Sequence, residues 1–359
     1  MNPGSIPGEA SSILQDLAVA TAQRNGPANM QHGGEPPYIN GSDKDSWLDL
    51  STGINPTPYP IPTLSNTDWQ TLPLKRDLEA LLLAARVAYD IPKKIEVMAG
   101  PGTEALIWQL PNIIVGSANI IGPTYSSHSA SWSHWNSVPT SISSNEPWPT
   151  HKHLVLVNPN NPTGNFINAD KLISFAKKLN PGCILVIDEA FMDCTPELSV
   201  IPHLSPDLPI LVLRSFGKFF GLAGLRLGFA VGPPNLIRQL NARFGDWSVS
   251  GPALQIGKQA LDDHKWQGLM RDHLQGRMNQ LYGFLKRPDT VLGRTNLFLL
   301  YQHQQAKRLH NFLARQKIWT RIFLDQPDWI RFGVPGSIKD FSRLAQGFYD
   351  FYESERETP

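Results

Sequence analysis

The chain has 359 residues, 41% of them apolar, and 32 basic against 31 acidic side chains leave a formal charge of +1. That length allows two domains, or one large domain with a smaller companion, around a sizeable core. The balanced charge argues against a nucleic-acid face, no run reaches the ~18 consecutive apolar residues of a membrane span, and two cysteines are too few for a disulfide framework.

Residues 1–31 are rich in Gly, Ser, Pro and Ala and read as a loose arm with one short helix at SSILQDLAVATAQR. HGGEPP (32–37) and STGINPTPYPIP (51–62) read as hinge-like loops. Leu74, Leu78, Leu81, Leu82, Ala85 and Tyr89 then fall on one face of a helix. From residue 95 short strands alternate with helices. IEVMAG, ANIIGP, HLVLVN, CILVIDEAF, PILVLRSF and RLGFAVG read as strands, and TEALIWQLPNII and NADKLISFAKKLN as helices. The strands are apolar at both alternating positions, which fits a parallel sheet covered on both faces. After residue 250 come helices from PALQIGKQALDDHKW onward, VLGRTNLFLLYQ as one strand, a helix over 304–316, and WIRFGVP. The expected organisation is an arm over 1–45, a large α/β domain over 46–255 and a small α+β domain over 256–359. No signal peptide is evident, and a reducing cytoplasm is the expected location.

Sheets of this kind place ligands at the carboxyl ends of their strands. Polar clusters stand there: AGPGTEA, NPNNPTG, DEA and RSFGK. Gly102 and Thr103, at a strand-to-helix turn, can offer backbone N–H groups and a hydroxyl to a phosphate. Ser215 and Arg226 add two more phosphate donors. Asp188 closes an apolar strand and needs a cationic partner, which a protonated pyridine nitrogen would be. Asn161 offers an amide to a phenolic oxygen, although NPNNPTG is also ordinary turn chemistry. Lys218, in apolar surroundings, tends towards a neutral amine that attacks aldehydes. Taken together these groups describe a site for pyridoxal 5′-phosphate. No metal is called for.

Asn161 in NxxNPTG, Asp188 in DEAF 27 residues on, Lys218 in SxxK 30 further, and Arg226 in GLRLG come in a specific order and spacing. They resemble the fold-type I pyridoxal-phosphate enzymes of the aminotransferase superfamily, over roughly residues 50–335. HGG at 32–34, WLDLSTGINP at 47–56 and the wording of RSFGKFFGLAGLRLGFA resemble the histidinol-phosphate aminotransferase branch, and within it the threonine-phosphate decarboxylases of cobalamin biosynthesis. The resemblance implies a large, mostly parallel seven-stranded sheet domain with a smaller α+β domain. It implies a homodimer acting on a small phosphorylated amino acid. The expected reaction is decarboxylation of O-phospho-L-threonine, with histidinol-phosphate-type transamination as the alternative. It also implies that Tyr125 stacks on the pyridine ring. Arg331 in WIRFGVP and Arg321 in WTRIF would bind the substrate's anionic groups. His32, Gly33 and Asn55 would close over the substrate, beside Asn161. Two positions depart from the pattern. Leu72-Pro73 stands where many relatives have Tyr-Pro, and Phe191 where many have a tyrosine on the ring oxygen.

Overall fold

The computed structural model describes residues 33–37, 46–134, 140–143, 147–286 and 290–356. All lie in one compact unit spanning Gly33–Pro359. The expected arm helix falls outside these residues.

The described chain opens with a short strand, β1 (Leu48–Asp49), and two helices, α1 (Asn66–Gln70) and α2 (Lys75–Ala88). Strand β2 (Glu96–Gly100) then leads into α3 (Thr103–Ile113), and β3 (Ala118–Ile121) into α4 (Ser126–His134). Next come β4 (Thr140–Ile142), β5 (His153–Val157), α5 (Ala169–Ala176), β6 (Leu185–Asp188) and β7 (Ile210–Ser215). A single turn, α6 (Phe216–Phe219), follows β7. Then come β8 (Gly228–Gly232), α7 (Pro234–Asn241), α8 (Gly251–Asp262) and the long α9 (His264–Leu285). The remainder comprises β9 (Val291–Arg294), β10 (Phe298–Gln302), α10 (Ala306–Arg315), β11 (Ile318–Trp319), β12 (Arg321–Phe323), β13 (Gln326–Gly333) and α11 (Ile338–Arg356).

Seven strands form the large sheet in the order β2-β8-β7-β6-β5-β3-β4. Only β8 runs antiparallel to its neighbours, β2 and β7. The alternation of the strands assigns their side chains to two cores. Leu185, Ile187, Ile210 and Val212 belong to one apolar cluster, and Val186, Leu211 and Leu213 to the other. Burial on both faces explains why these strands read as continuous apolar runs.

The expected α/β class and mostly parallel seven-stranded sheet are therefore present. The stretch VLGRTNLFLLYQ is not one strand but the antiparallel pair β9 and β10. Thr295 Oγ1 accepts from the N–H groups of Leu297 and Phe298 at 3.1 and 3.3 Å, and this side-chain turn breaks the run. The second sheet has the order β12-β13-β10-β9. Helix α11, absent from the sequence reading, buries Leu344, Phe348 and Phe351. Strand β1 pairs in parallel with β11, so this early segment joins the C-terminal elements.

Candidate active site

Strand direction assembles the site. Strands β5, β6 and β7 end at Val157, Asp188 and Ser215 on one edge of the large sheet. Because β8 is antiparallel, its first residue, Gly228, pairs with Ser215 and with Gly100, the end of β2. Arg226, two residues earlier, is thereby delivered to the same edge. A cavity of about 150 Å³ opens there, and its walls include Gly102, Thr103, Tyr125, Asn161, Asp188, Ser215, Lys218 and Arg226. Every residue expected to hold the cofactor stands in that wall.

At one end Gly102 caps α3 with φ +86°. A Cβ built on it would meet Arg226 Nη2 at 2.7 Å, so only glycine lets the guanidinium approach the helix start. Helix N–H groups and a guanidinium together make an anion cradle. At the other end Asp188 is 3% exposed. Its Oδ1 accepts from Ala190 N at 3.0 Å, and its Oδ2 lies 3.0 Å from His128 Nε2. His128 is fully buried on α4 and was not among the expected site residues. Its contact lies 60 positions away in sequence, and SSHSASWSH carries no apolar period to mark its inward face.

Lys218 sits on α6, backed by stacked aromatic rings: Phe216 against Phe220 at 4.3 Å, and Phe220 against Trp266 at 5.8 Å. Its Nζ lies 5.9 Å from the centre of the Phe191 ring. Burial, reinforced by the charge of Arg331, pushes its ammonium down to about 8. Far more free amine is present at neutral pH than for an ordinary lysine, although the charged form still predominates below about pH 8.

The NPNNPTG loop divides its labour. Asn158 bonds both ways with Ile167, accepting from its N–H at 2.8 Å and donating to its carbonyl at 2.9 Å. Asn160 accepts from Thr124 Oγ1 at 2.6 Å and donates to Pro123 O and Thr163 Oγ1. These two perform the turn chemistry. Asn161 instead accepts from Arg331 across 170 positions. Gly164, at φ +69°, makes this possible: a Cβ there would meet the Arg294 backbone N at 2.5 Å, so the loop lies directly on β9 of the small sheet.

Arg331 and Arg321 are cross-strand partners on β13 and β12. Like charges placed opposite each other are unfavourable unless an anion joins them. Arg331 is buried, donates to Ser51 O at 2.6 Å, and its Nε has no hydrogen-bond partner among the described residues. Burial, then the charge of Arg321, pushes its guanidinium below the usual arginine range, against the opposing pull of Asp49. Arg331 is close enough for its charge to act on Lys218.

Of the residues expected to close over the substrate, His32 lies outside the described residues. Gly33 packs on the Ser51 backbone, and Gly34 N donates to Ser51 Oγ at 2.7 Å. Asn55 is committed to the chain itself. Its Nδ2 donates to Phe219 O at 2.8 Å, its Oδ1 accepts from Thr57 N at 2.9 Å, and its backbone N–H donates to Lys218 O at 2.9 Å.

Residues 138–348 match the family model described as aminotransferase class I and II. The chain belongs to that family. Within this aminotransferase family, it is 36% identical over 318 residues to a threonine-phosphate decarboxylase of Pseudomonas aeruginosa, covering 87% of this chain and 94% of that protein. It is 34% identical over 313 residues to a threonine-phosphate decarboxylase of Sinorhizobium sp, covering 85% and 92%. The solved structure of L-threonine-O-3-phosphate decarboxylase from Porphyromonas gingivalis superposes with a TM-score of 0.69 at 18% identity, covering 85% of this chain and 99% of that one. That structural likeness bears on the fold of the family member described here.

Proposed function

We propose that this protein is a pyridoxal-phosphate-dependent carboxy-lyase that converts O-phospho-L-threonine and a proton into carbon dioxide and (R)-1-aminopropan-2-yl phosphate, a product used in cobalamin assembly. The observation that carries this reading is a half-buried amine, Lys218, that feels the charge of Arg331, whose cross-strand partner is Arg321. Such a site suits a substrate with an amine and two anionic groups. The decarboxylases cited above favour this outcome over amino transfer.

The cavity suits the cofactor. Asp188 and its buried His128 partner can hold a proton at the pyridine nitrogen. The Gly102–Thr103 helix start, Ser215 and Arg226 can hold the phosphate, and Asn161 can donate to the phenolic oxygen. Tyr125 offers a ring face. When bound, pyridoxal 5′-phosphate supplies an aldehyde for the substrate amine and a ring that accepts the electron pair of the broken Cα bond. The chain's own residues decide which bond that is. Of the charges that shift Lys218, Arg331 has the largest effect, so we assign Arg331 to the group on Cα and Arg321 to the outer phosphate. Once the Cα–carboxylate bond breaks, Lys218 Nζ delivers a proton to Cα. Gly33 borders the substrate, and Asn55 steadies Lys218 through the bond from its N–H to the Lys218 carbonyl.

Ile61, Trp69, Leu72 and Leu74 are large exposed apolar residues in one stretch, and we assign that stretch to the interface of a homodimer. Among the described residues no helix is long and apolar enough to cross a membrane, and both cysteines are free, which fits a cytoplasmic enzyme.

The test is incubation of the cofactor-loaded protein with O-phospho-L-threonine. Release of carbon dioxide with aminopropyl phosphate is expected. Amino transfer from histidinol phosphate to 2-oxoglutarate, with no carbon dioxide, would overturn the assignment.

A further inference from the structure

Glu104 lines the same cavity, one residue beyond the phosphate cradle. An acidic residue in the first turn of a helix is ordinary, since it complements the helix dipole. Next to a phosphate site, however, a carboxylate opposes the ligand it adjoins. Its bonds give it another use. Glu104 Oε1 accepts from Trp108 Nε1 at 2.8 Å, one turn further along α3. Its Oε2 accepts from the Tyr125 hydroxyl at 2.9 Å, from a loop 21 positions away. Burial, then the negative charge of Glu104, pushes the Tyr125 phenol up and keeps it a neutral donor.

The tyrosine oxygen lies on the axis about which the ring turns, so holding it fixes the direction of that axis and leaves the rotation about it to a contact on the ring itself. The far edge of the same ring lies against His128, centroids 6.2 Å apart and nearly perpendicular. The ring is thus gripped at its hydroxyl by Glu104 and at its edge by the partner of Asp188. We infer that Glu104 is a positioning residue, and that the Trp108–Glu104–Tyr125 chain sets the tilt of the Tyr125 ring over a cofactor bound in the cavity. This rests on the assignment of the cavity to pyridoxal 5′-phosphate.

The experiment measures the dissociation constant of pyridoxal 5′-phosphate and the visible circular dichroism of the bound cofactor. The proteins are the wild type, Glu104→Ala, Glu104→Gln, Tyr125→Phe and the Glu104→Ala/Tyr125→Phe double variant. Wild type that binds no pyridoxal 5′-phosphate would overturn the cavity assignment itself. With binding established, Glu104→Ala and Tyr125→Phe should each weaken it about tenfold, the size of one hydrogen bond to a charged group, and alter the dichroic band alike. The double variant should lose no more than either single one. Glu104→Gln should restore the band, because its carbonyl accepts from Trp108 and its amide donates to the Tyr125 oxygen. Additive losses, or an unaltered band in Tyr125→Phe, would overturn the inference. Tyr125→Phe keeps the ring and its packing, so it decides the matter even if Glu104→Ala folds poorly.

Discussion

The role proposed for Lys218 depends on its titration. With its ammonium pushed down to about 8, the residue is largely charged below that pH and largely a free amine above it. Cofactor-free protein mixed briefly with pyridoxal and trapped with borohydride should label the Lys218 peptide half-maximally near pH 8, read by mass spectrometry. A midpoint near the ordinary lysine value of about 10.4 would contradict the desolvation of this half-buried amine. Asp188→Ala should lower kcat/KM for O-phospho-L-threonine by roughly 10²–10³-fold, the usual effect of removing one preorganised electrostatic group. His128→Ala should cost about tenfold, since it removes a single hydrogen bond behind that carboxylate. Lys218, Asp188 and Asn161 were legible because each is an odd residue at the end of an apolar strand or in a proline-flanked turn. His128 and Glu104 were not. Their partners are set by folding rather than spacing, and an acid in a first helical turn gives no local sign of a through-space bond to Tyr125.

At the level of elements, the ends of β6 and β7 are fastened by a buried ion cluster. Arg214, 1% exposed, donates to Glu189 Oε2 at 3.0 Å and to Asp193 Oδ1, and lies over the Tyr89 ring at 4.4 Å. Glu189 also accepts from Ser199 Oγ at 2.6 Å and Val200 N at 2.9 Å. Removing one member of such a cluster leaves buried charge without compensation. Arg214→Ala should therefore destabilise the protein by about 3–5 kcal/mol, seen as a lower urea midpoint. An unchanged midpoint would mean that the strand ends are held by packing alone. Most elements were legible from apolar pattern. The orientation of β8 was not, because an apolar run has no direction, and yet that reversal delivers Arg226. The break between β9 and β10 was hidden too, since only the Thr295 hydroxyl marks it.

For the molecule as a whole, the site lies where two sheets meet, and the Asn161–Arg331 contact spans them. The mostly parallel sheet could be read from the sequence; the approach of the small sheet depends on backbone contacts, such as Gly164 on Arg294, that residue patterns do not encode. If the exposed stretch around Leu72 is covered by a second copy, replacing both Trp69 and Leu72 with Glu should give monomers by light scattering. A monomeric wild type would leave that surface without its assigned partner. Three hydrogen bonds join Asn55 and Tyr59 to the backbone carbonyls of Lys218, Phe219 and Phe220. Neither strand of this seam can loosen without exposing the other to solvent. In deuterium exchange, peptides from these two stretches, more than 150 positions apart in the chain, should acquire label in step as one cooperative opening.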